Sequence, residues 1–163
     1  MSKRTLAALL AVLATAAPAG AADDTIIQRL SLCQDSWLDW TKGDPGKIKT
    51  FRDHFQAAFK PDASGGYFVP KGAATVAGLP LLQVYPQSVG MGVGFSVLLA
   101  APFDATRAAI AKALGKPLAK CETGDGMRSC ELEIAPTRTL TVTTDDPPKS
   151  KTTLVGCYYY YEK

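Results

Sequence analysis

Hydrophobic residues near the start of the chain recur at helical spacing. The stretch DDTIIQRLSLCQDSWLDWTKG, residues 23–43, carries apolar side chains at alternating steps of four and three residues: Ile26, Leu30, Cys33, Trp37 and Trp40. This spacing places them on one face of an amphipathic helix. Asp23 and Asp24 suit the start of such a helix, where carboxylates cap free amides, and Gly43 suits its end.

A second helical pattern follows directly in DPGKIKTFRDHFQAAFK, residues 44–60. Asp44 is a suitable N-cap, and Pro45 is a suitable first helical residue because its missing N–H is not needed there. The apolar face of this segment consists of Ile48, Phe51, Phe55, Ala58 and Phe59. A short Gly-Asp turn joins the two patterns, which predicts a helical hairpin.

The pattern changes from helix to strand after the turn-rich stretch PDASGG. Three β-rich runs follow, namely YFVP, LPLLQVY and MGVGFSVLLA. Segments rich in glycine and proline separate these runs. Asp104 is then predicted to cap a short helix in ATRAAIAKAL, which Gly115 should end.

Four further strand patterns complete the chain: LAKCET, RSCELEI, RTLTVTT and TTLVGCYYYYE. The predicted order is ααβββαββββ, and most connections between strands are short. Short connections favour antiparallel pairing. The sequence therefore predicts an α+β fold, with an N-terminal helical hairpin packed on a mainly antiparallel sheet and one further short helix.

The decapeptide CETGDGMRSC predicts a disulfide-locked hairpin. If Asp125-Gly126 forms a two-residue type I′ turn, counting outward places Cys121 opposite Cys130. This position is a non-hydrogen-bonded pair, where the Cα atoms approach to ~4.5 Å and a disulfide fits. Metal ligation is the alternative for these cysteines, but they lack CxxC spacing and a nearby histidine.

The remaining cysteines, Cys33 and Cys157, are paired by elimination. Their disulfide would tie the first helix to the last strand. A reactive cysteine is the alternative. It would require a partner base, and His54 is the single histidine of the chain.

Residues 1–22 have the pattern of a cleaved secretory signal peptide. Lys3 and Arg4 precede an apolar run, and small residues follow it at the −3 and −1 positions, as Ala19 and Ala21 or as Gly20 and Ala22. The apolar run is shorter than the ~20 residues that a spanning helix requires, so an uncleaved anchor is the weaker alternative. An alanine-rich leader of this kind is typical of bacteria, which indicates the periplasm.

Residues 23–163 are expected to form a single α+β domain. The formal net charge of +3 falls to +1 when Lys3 and Arg4 are removed with the leader. A charge so close to zero gives no electrostatic reason to expect nucleic acid as a partner. No later apolar stretch is long enough for membrane insertion. The oligomeric state is not predicted.

Catalytic and cofactor motifs are absent from the sequence. Ser96 lacks G-x-S-x-G spacing, and SVGMGVG matches neither the dinucleotide fingerprint nor the P-loop. No CxxCH haem motif and no calcium-loop spacing occur, so the sequence predicts no cofactor, no metal and no catalytic residue. His54 lies at the edge of the second helix's apolar face and could act as a general base, but no acid partner is evident.

Tyrosines near the C-terminus form the predicted partner-binding surface. Strand alternation sends Tyr159 and Tyr161 to the side of Cys157, and Tyr158 and Tyr160 to the opposite, open side of the sheet. Tyrosine is a frequent interface anchor, although it also simply favours strands.

The locked hairpin adds a second predicted surface for partner binding. Its charged tip carries Glu122, Asp125 and Arg128. A rigid tip of this kind loses little conformational entropy when it binds a partner.

These features favour an exported, non-catalytic binding protein whose partner is another envelope or periplasmic protein, as in immunity proteins and inhibitors of cell-wall hydrolases. The analogy is one of size, compartment and disulfide content. A structural accessory of an envelope or secretion assembly is the first alternative. A small hydrolase that uses His54 is the second, and it would require a cleft that brings His54 next to a carboxylate.

We predict that the protein is exported and that its leader is removed. Protein isolated from the periplasm should have an intact mass that corresponds to an N-terminus at Ala22 or Asp23, because the small residues that precede these positions suit leader peptidase. Recovery of the full-length chain from the cytosol would contradict this prediction.

Overall fold

The computed structural model of the protein describes residues 23–86, 88–89, 92–145 and 149–159. The leader segment 1–22 and the residues Tyr160 and Tyr161 lie outside the described residues. The fold is a mixture of helices and antiparallel sheet, so the predicted α+β class is confirmed.

The described residues contain three α-helices and one short π-helical turn. In chain order these are α1 (Thr25–Ser31), the π-helical turn (Asp39–Gly43), α2 (Pro45–Ala58) and α3 (Phe103–Leu114). Capping of the first two helices follows the sequence. Asp24 accepts a hydrogen bond from the amide of Ile27, and Asp44 accepts hydrogen bonds from the amides of Gly46 and Lys47.

The single long helix predicted over residues 23–43 is interrupted in the structure. α1 ends at Ser31, and Cys33 follows with φ of +57°, in the left-handed region that few non-glycine residues adopt. The chain then enters the π-helical turn, where the amide of Asp44 donates to the carbonyl of Asp39 over 3.1 Å. The helical hairpin is retained, but its first arm consists of two pieces.

The third helix begins slightly earlier than predicted. Pro102 occupies the N-cap position, and Asp104 lies inside the first turn, where its charge still faces the positive end of the helix. Gly115 ends the helix with φ of +64°, as its position in the sequence indicates.

Ten strands within the described residues form the sheet. They are β1 (Phe59–Pro61), β2 (Phe68–Pro70), β3 (Thr75–Val76), β4 (Leu79–Tyr85), β5 (Ser88–Val89), β6 (Gly92–Leu99), β7 (Lys120–Gly124), β8 (Met127–Ala135), β9 (Arg138–Asp145) and β10 (Thr153–Tyr159). The main path runs β1-β2-β4-β6-β10-β9-β8-β7, and the short strands β3 and β5 attach to β4 and β6. All of these pairings are antiparallel. The last strand therefore lies in the middle of the sheet, between β6 and β9.

The hairpin of β7 and β8 has the register counted from the sequence. Asp125 and Gly126 both have positive φ, as a type I′ turn requires, and Cys121 lies opposite Cys130. Both predicted disulfides are present, Cys121–Cys130 and Cys33–Cys157, and they use every cysteine of the chain. Two disulfides are typical of proteins from an oxidising, extracellular compartment.

The core lies between the helices and one face of the sheet. Phe95 on β6 is fully buried, and its ring centroid lies 5.1 Å from that of Trp37 and 6.4 Å from that of Phe51 on α2. Phe55 extends this aromatic cluster to Phe68 on β2. None of the helices in the described part of the chain is long and apolar enough to cross a membrane.

We predict that the two disulfides differ in their contribution to stability. Cys33–Cys157 spans 124 residues and Cys121–Cys130 spans 9. In the chain-entropy model the longer loop stabilises by ~5 kcal/mol and the shorter by ~2.5 kcal/mol. Urea unfolding of the double variants Cys33→Ala/Cys157→Ala and Cys121→Ala/Cys130→Ala should show the larger loss in the first. Equal losses would show that loop length does not govern the effect.

Candidate functional site

The central strand β10 has two sides with different roles. Val155, Cys157 and Tyr159 point toward the helices and are buried. Leu154 and Tyr158 lie on the opposite side and are partly exposed. On the sheet side that these buried residues face, α1 contacts β6 and β10, α3 contacts β9, and Phe51 of α2 packs on Phe95 of β6. The opposite side is therefore the open face of the sheet.

Tyr159 holds its position through two buried hydrogen bonds. Its hydroxyl accepts from the amide of Trp37 over 2.8 Å and donates to the carbonyl of Asp35 over 2.9 Å. Burial raises the pKa of the Tyr159 hydroxyl, because the charged phenolate would lose its hydration. This tyrosine therefore has a structural role, whereas Tyr161, predicted for the same side, lies outside the described residues.

Tyr158 lies flat over glycines on the open face. A Cβ atom placed on Gly94 would lie 3.1 Å from the Cδ1 atom of the Tyr158 ring, and one placed on Gly156 would lie 3.2 Å from its Cε2 atom. Both distances are shorter than ordinary van der Waals contact. The glycines are therefore required for the close approach of the Tyr158 ring.

The open face continues on both sides of Tyr158 as rows of polar and aromatic residues. One row crosses six strands, in the order Tyr85, Ser96, Gly156, Thr141, Glu131 and Lys120. The ring centroid of Tyr85 lies 5.5 Å from that of Tyr67, so an aromatic pair stands at one end of this row. Exposed Glu131 and Lys120 stand at the other end.

The three predicted hairpin residues do not share one surface. Glu122 lies on the open face, where it lines a shallow cavity of about 140 Å³ with Lys120, Ser129 and Glu131. Asp125 is exposed at the turn. Arg128 turns to the helix side, where its Nη1 atom lies 3.2 Å from each carboxylate oxygen of Asp104.

Arg128 also stacks on the ring of Phe103, with its guanidinium carbon 4.5 Å from the ring centroid. Its contacts with Asp104 and Phe103 tie the hairpin to the start of α3. The structure thus brings Glu122 onto the same face as Tyr158, but it separates Arg128 from them. Tyr160, the remaining predicted contact residue, lies outside the described residues.

A separate cleft lies at the helix layer, between the start of α1, the end of α2 and the loop that joins β2 to β3. Its volume is about 460 Å³. Small or apolar residues form most of its wall, and Asp24, Thr25, His54 and Lys71 supply its polar side chains.

His54 and Asp24 meet in this cleft. Their Nε2 and Oδ2 atoms are 2.8 Å apart, and the Asp24 side chain is only 8% exposed. The second oxygen, Oδ1, accepts the amide of Ile27. The sequence identified His54 but not its partner, because Asp24 was explained as a helix cap and lies 30 residues away.

The contact with Asp24 fixes the tautomer of His54. A carboxylate can only accept hydrogen bonds, so the Nε2 atom of His54 carries the proton. In a neutral imidazole the Nδ1 atom is then an acceptor, and it can take a proton from water or from an N–H or O–H group of a ligand. Within the described part of the chain, no cluster of three or more His, Cys, Asp or Glu side chains could hold a metal ion.

Comparisons with known proteins found no matching family model, no matching curated protein and no matching solved structure. The described residues thus present two candidate sites, the open sheet face and the His54–Asp24 cleft.

We predict that Tyr159→Phe destabilises the protein by ~1–3 kcal/mol, because it leaves the Trp37 amide and the Asp35 carbonyl unpaired. Tyr158→Phe, on the partly exposed side of the same strand, should cause a smaller loss in the free energy of unfolding than Tyr159→Phe. Urea unfolding measures both values. A larger loss in Tyr158→Phe would contradict the assignment of the two sides.

The pH dependence of stability distinguishes the Tyr159→Phe and Tyr158→Phe variants in a second measurement. Since the pKa of Tyr159 is raised from 10.0 in the folded protein, its stabilising effect is complete below pH ~10 and is lost as pH rises through the raised value. The Tyr159→Phe variant should lack this alkaline loss, whereas Tyr158→Phe should retain it.

Proposed function

We propose that the protein is exported to the periplasm through a cleaved signal peptide and acts there as a non-catalytic binding protein. Its partner is another envelope protein, which it inhibits or neutralises. Support for export comes from the leader pattern in residues 1–22 and from the two disulfides, which suit an oxidising compartment.

The observation that carries the binding proposal is the placement of Tyr158 on the open face of the sheet. Its ring packs closely against Gly94 and Gly156, and this contact restricts its motion before a partner binds. A pre-positioned aromatic side chain loses little conformational entropy on binding, which is why tyrosine is common among interface hot spots.

The charge of the open face indicates the chemistry of the partner. Three exposed carboxylates, Glu122, Glu131 and Glu133, lie on the β7–β8 side of this face, and Lys120 lies among them. Threonines fill the middle of the face, at Thr139, Thr141 and Thr143. This surface suits a partner with a basic patch and with polar groups that can pair with hydroxyls.

A small hydrolase is the second candidate function, and the contact between His54 and Asp24 favours it. A histidine oriented by a carboxylate inside a cleft is the usual arrangement of a general base. The hydroxyl that lines this cleft belongs to Thr25, and all four cysteines form disulfides. His54 would thus have to activate either Thr25 or a water molecule. Because the cleft offers no serine or free thiol as a nucleophile, we rank the hydrolase below the binding protein.

We predict that Tyr158→Ser lowers the affinity for the partner by about 30-fold, which corresponds to the hot-spot threshold of ~2 kcal/mol. The partner is first captured from periplasm with the tagged mature protein, and binding of the purified pair is then measured by calorimetry. Lys112→Ser on the exposed side of α3 serves as the matched control and should bind normally. A partner that binds Tyr158→Ser as tightly as the unaltered protein would contradict the open-face proposal.

A further inference from the structure

We propose that the cleft at His54 is a binding site for a short peptide that ends in a free carboxylate and carries small apolar side chains. This inference goes beyond the open-face function and does not depend on it. It shares its cleft with the second candidate function, so the experiment below separates binding from hydrolysis.

The size and wall of the cleft define the body of the ligand. Its volume of about 460 Å³ falls within the range of small-molecule sites, ~300–1,000 Å³. The wall is built mainly from short side chains and two rigid rings, namely Ala57, Ala58, Phe59, Pro70, Ala73 and Ala74. Short side chains leave room for a peptide backbone and favour small apolar groups over large or charged ones.

His54 supplies a hydrogen-bond acceptor for the ligand. Its Nε2–H is used by Asp24, and its Nδ1 atom is the acceptor of the neutral ring. The His54 side chain is 30% exposed, so a ligand in the cleft can reach it. A peptide N–H is the donor that matches this acceptor.

Lys71 supplies the positive charge. Its ammonium donates one hydrogen bond to the carbonyl of Gln56, and its main-chain amide donates to the carbonyl of Ala58 over 2.8 Å. These two contacts hold Lys71 at the end of α2. An ammonium group has three donors, so two remain for the terminal carboxylate of a peptide.

Asp24 does not oppose the binding of an anion as strongly as an unengaged carboxylate would. Its two oxygens are directed to protein donors, the amide of Ile27 and the ring of His54. Lys71 lines the same cleft, and within the described residues its ammonium forms no ion pair with Asp24. The acceptor at His54 and the cation at Lys71 are different residues, so the ligand binds in one orientation. Its N–H lies at His54 and its carboxylate lies at Lys71.

The test uses His54 as a reporter, because it is the only histidine of the chain. N-acetyl-Ala-Ala is titrated into the protein, and the ring signals of His54 are followed by proton–carbon NMR. A saturable shift is expected. The same peptide with a C-terminal amide should bind about tenfold more weakly, because it lacks the charge that Lys71 recognises.

Three variants locate the binding. Lys71→Gln should weaken binding of the acid about tenfold, and Lys60→Gln, an exposed lysine outside the cleft, should leave it unchanged. Ala73→Leu should abolish binding by filling the cleft, and it does not remove the contacts of Lys71. Thermal melts of all three variants verify that they are folded.

Several outcomes would overturn the proposal. They are the absence of a saturable shift, equal binding of acid and amide, equal effects of Lys71→Gln and Lys60→Gln, and unchanged binding in Ala73→Leu. The same spectra report any free alanine released from the peptide. Binding without release supports the peptide site and argues against the hydrolase, whereas release that is lost in His54→Gln supports both.

Discussion

The fold depends on the bonds between the segment after α1, residues 33–37, and the central strand β10. Cys33 is joined to Cys157, and two residues further along the strand the hydroxyl of Tyr159 links the amide of Trp37 to the carbonyl of Asp35. Residues 32–36 are not helical and Trp37 begins the next helical turn, so the main-chain groups of this segment need other partners, and burial without them would be costly. Tyr159 supplies two of these partners from inside the core.

The disulfide of Cys157 and the hydrogen bonds of Tyr159 hold one side of β10 against the helices, and this affects both candidate sites. Successive residues of a strand point to opposite faces, so anchoring Cys157 and Tyr159 among the helices directs Tyr158 to the open face. The same anchoring positions α1, whose N-cap residue Asp24 contacts His54 on α2. The open face and the cleft are therefore built by one set of core contacts, although they lie on different sides of the protein.

Features encoded by adjacent residues could be predicted from the sequence, and features that depend on distant contacts could not. The hairpin register, the Asp44 cap and the Gly115 stop follow from local chemistry. The break at Cys33 did not, because a cysteine with positive φ has no local signal and is stabilised by the surrounding fold. The Asp24–His54 pair and the turn of Arg128 toward Asp104 also required the packing of separate elements.

Asp24 shows why structural and functional roles are hard to separate at the cleft. One of its oxygens caps α1 and the other holds the ring of His54, so the carboxylate links two helices whether or not a ligand binds. Loss of either side chain would therefore affect stability as well as any activity. Asp24 engages the Nε2 atom of the ring, which leaves the Nδ1 atom for a ligand. His54 and Lys71 are therefore the side chains through which the cleft would bind a ligand.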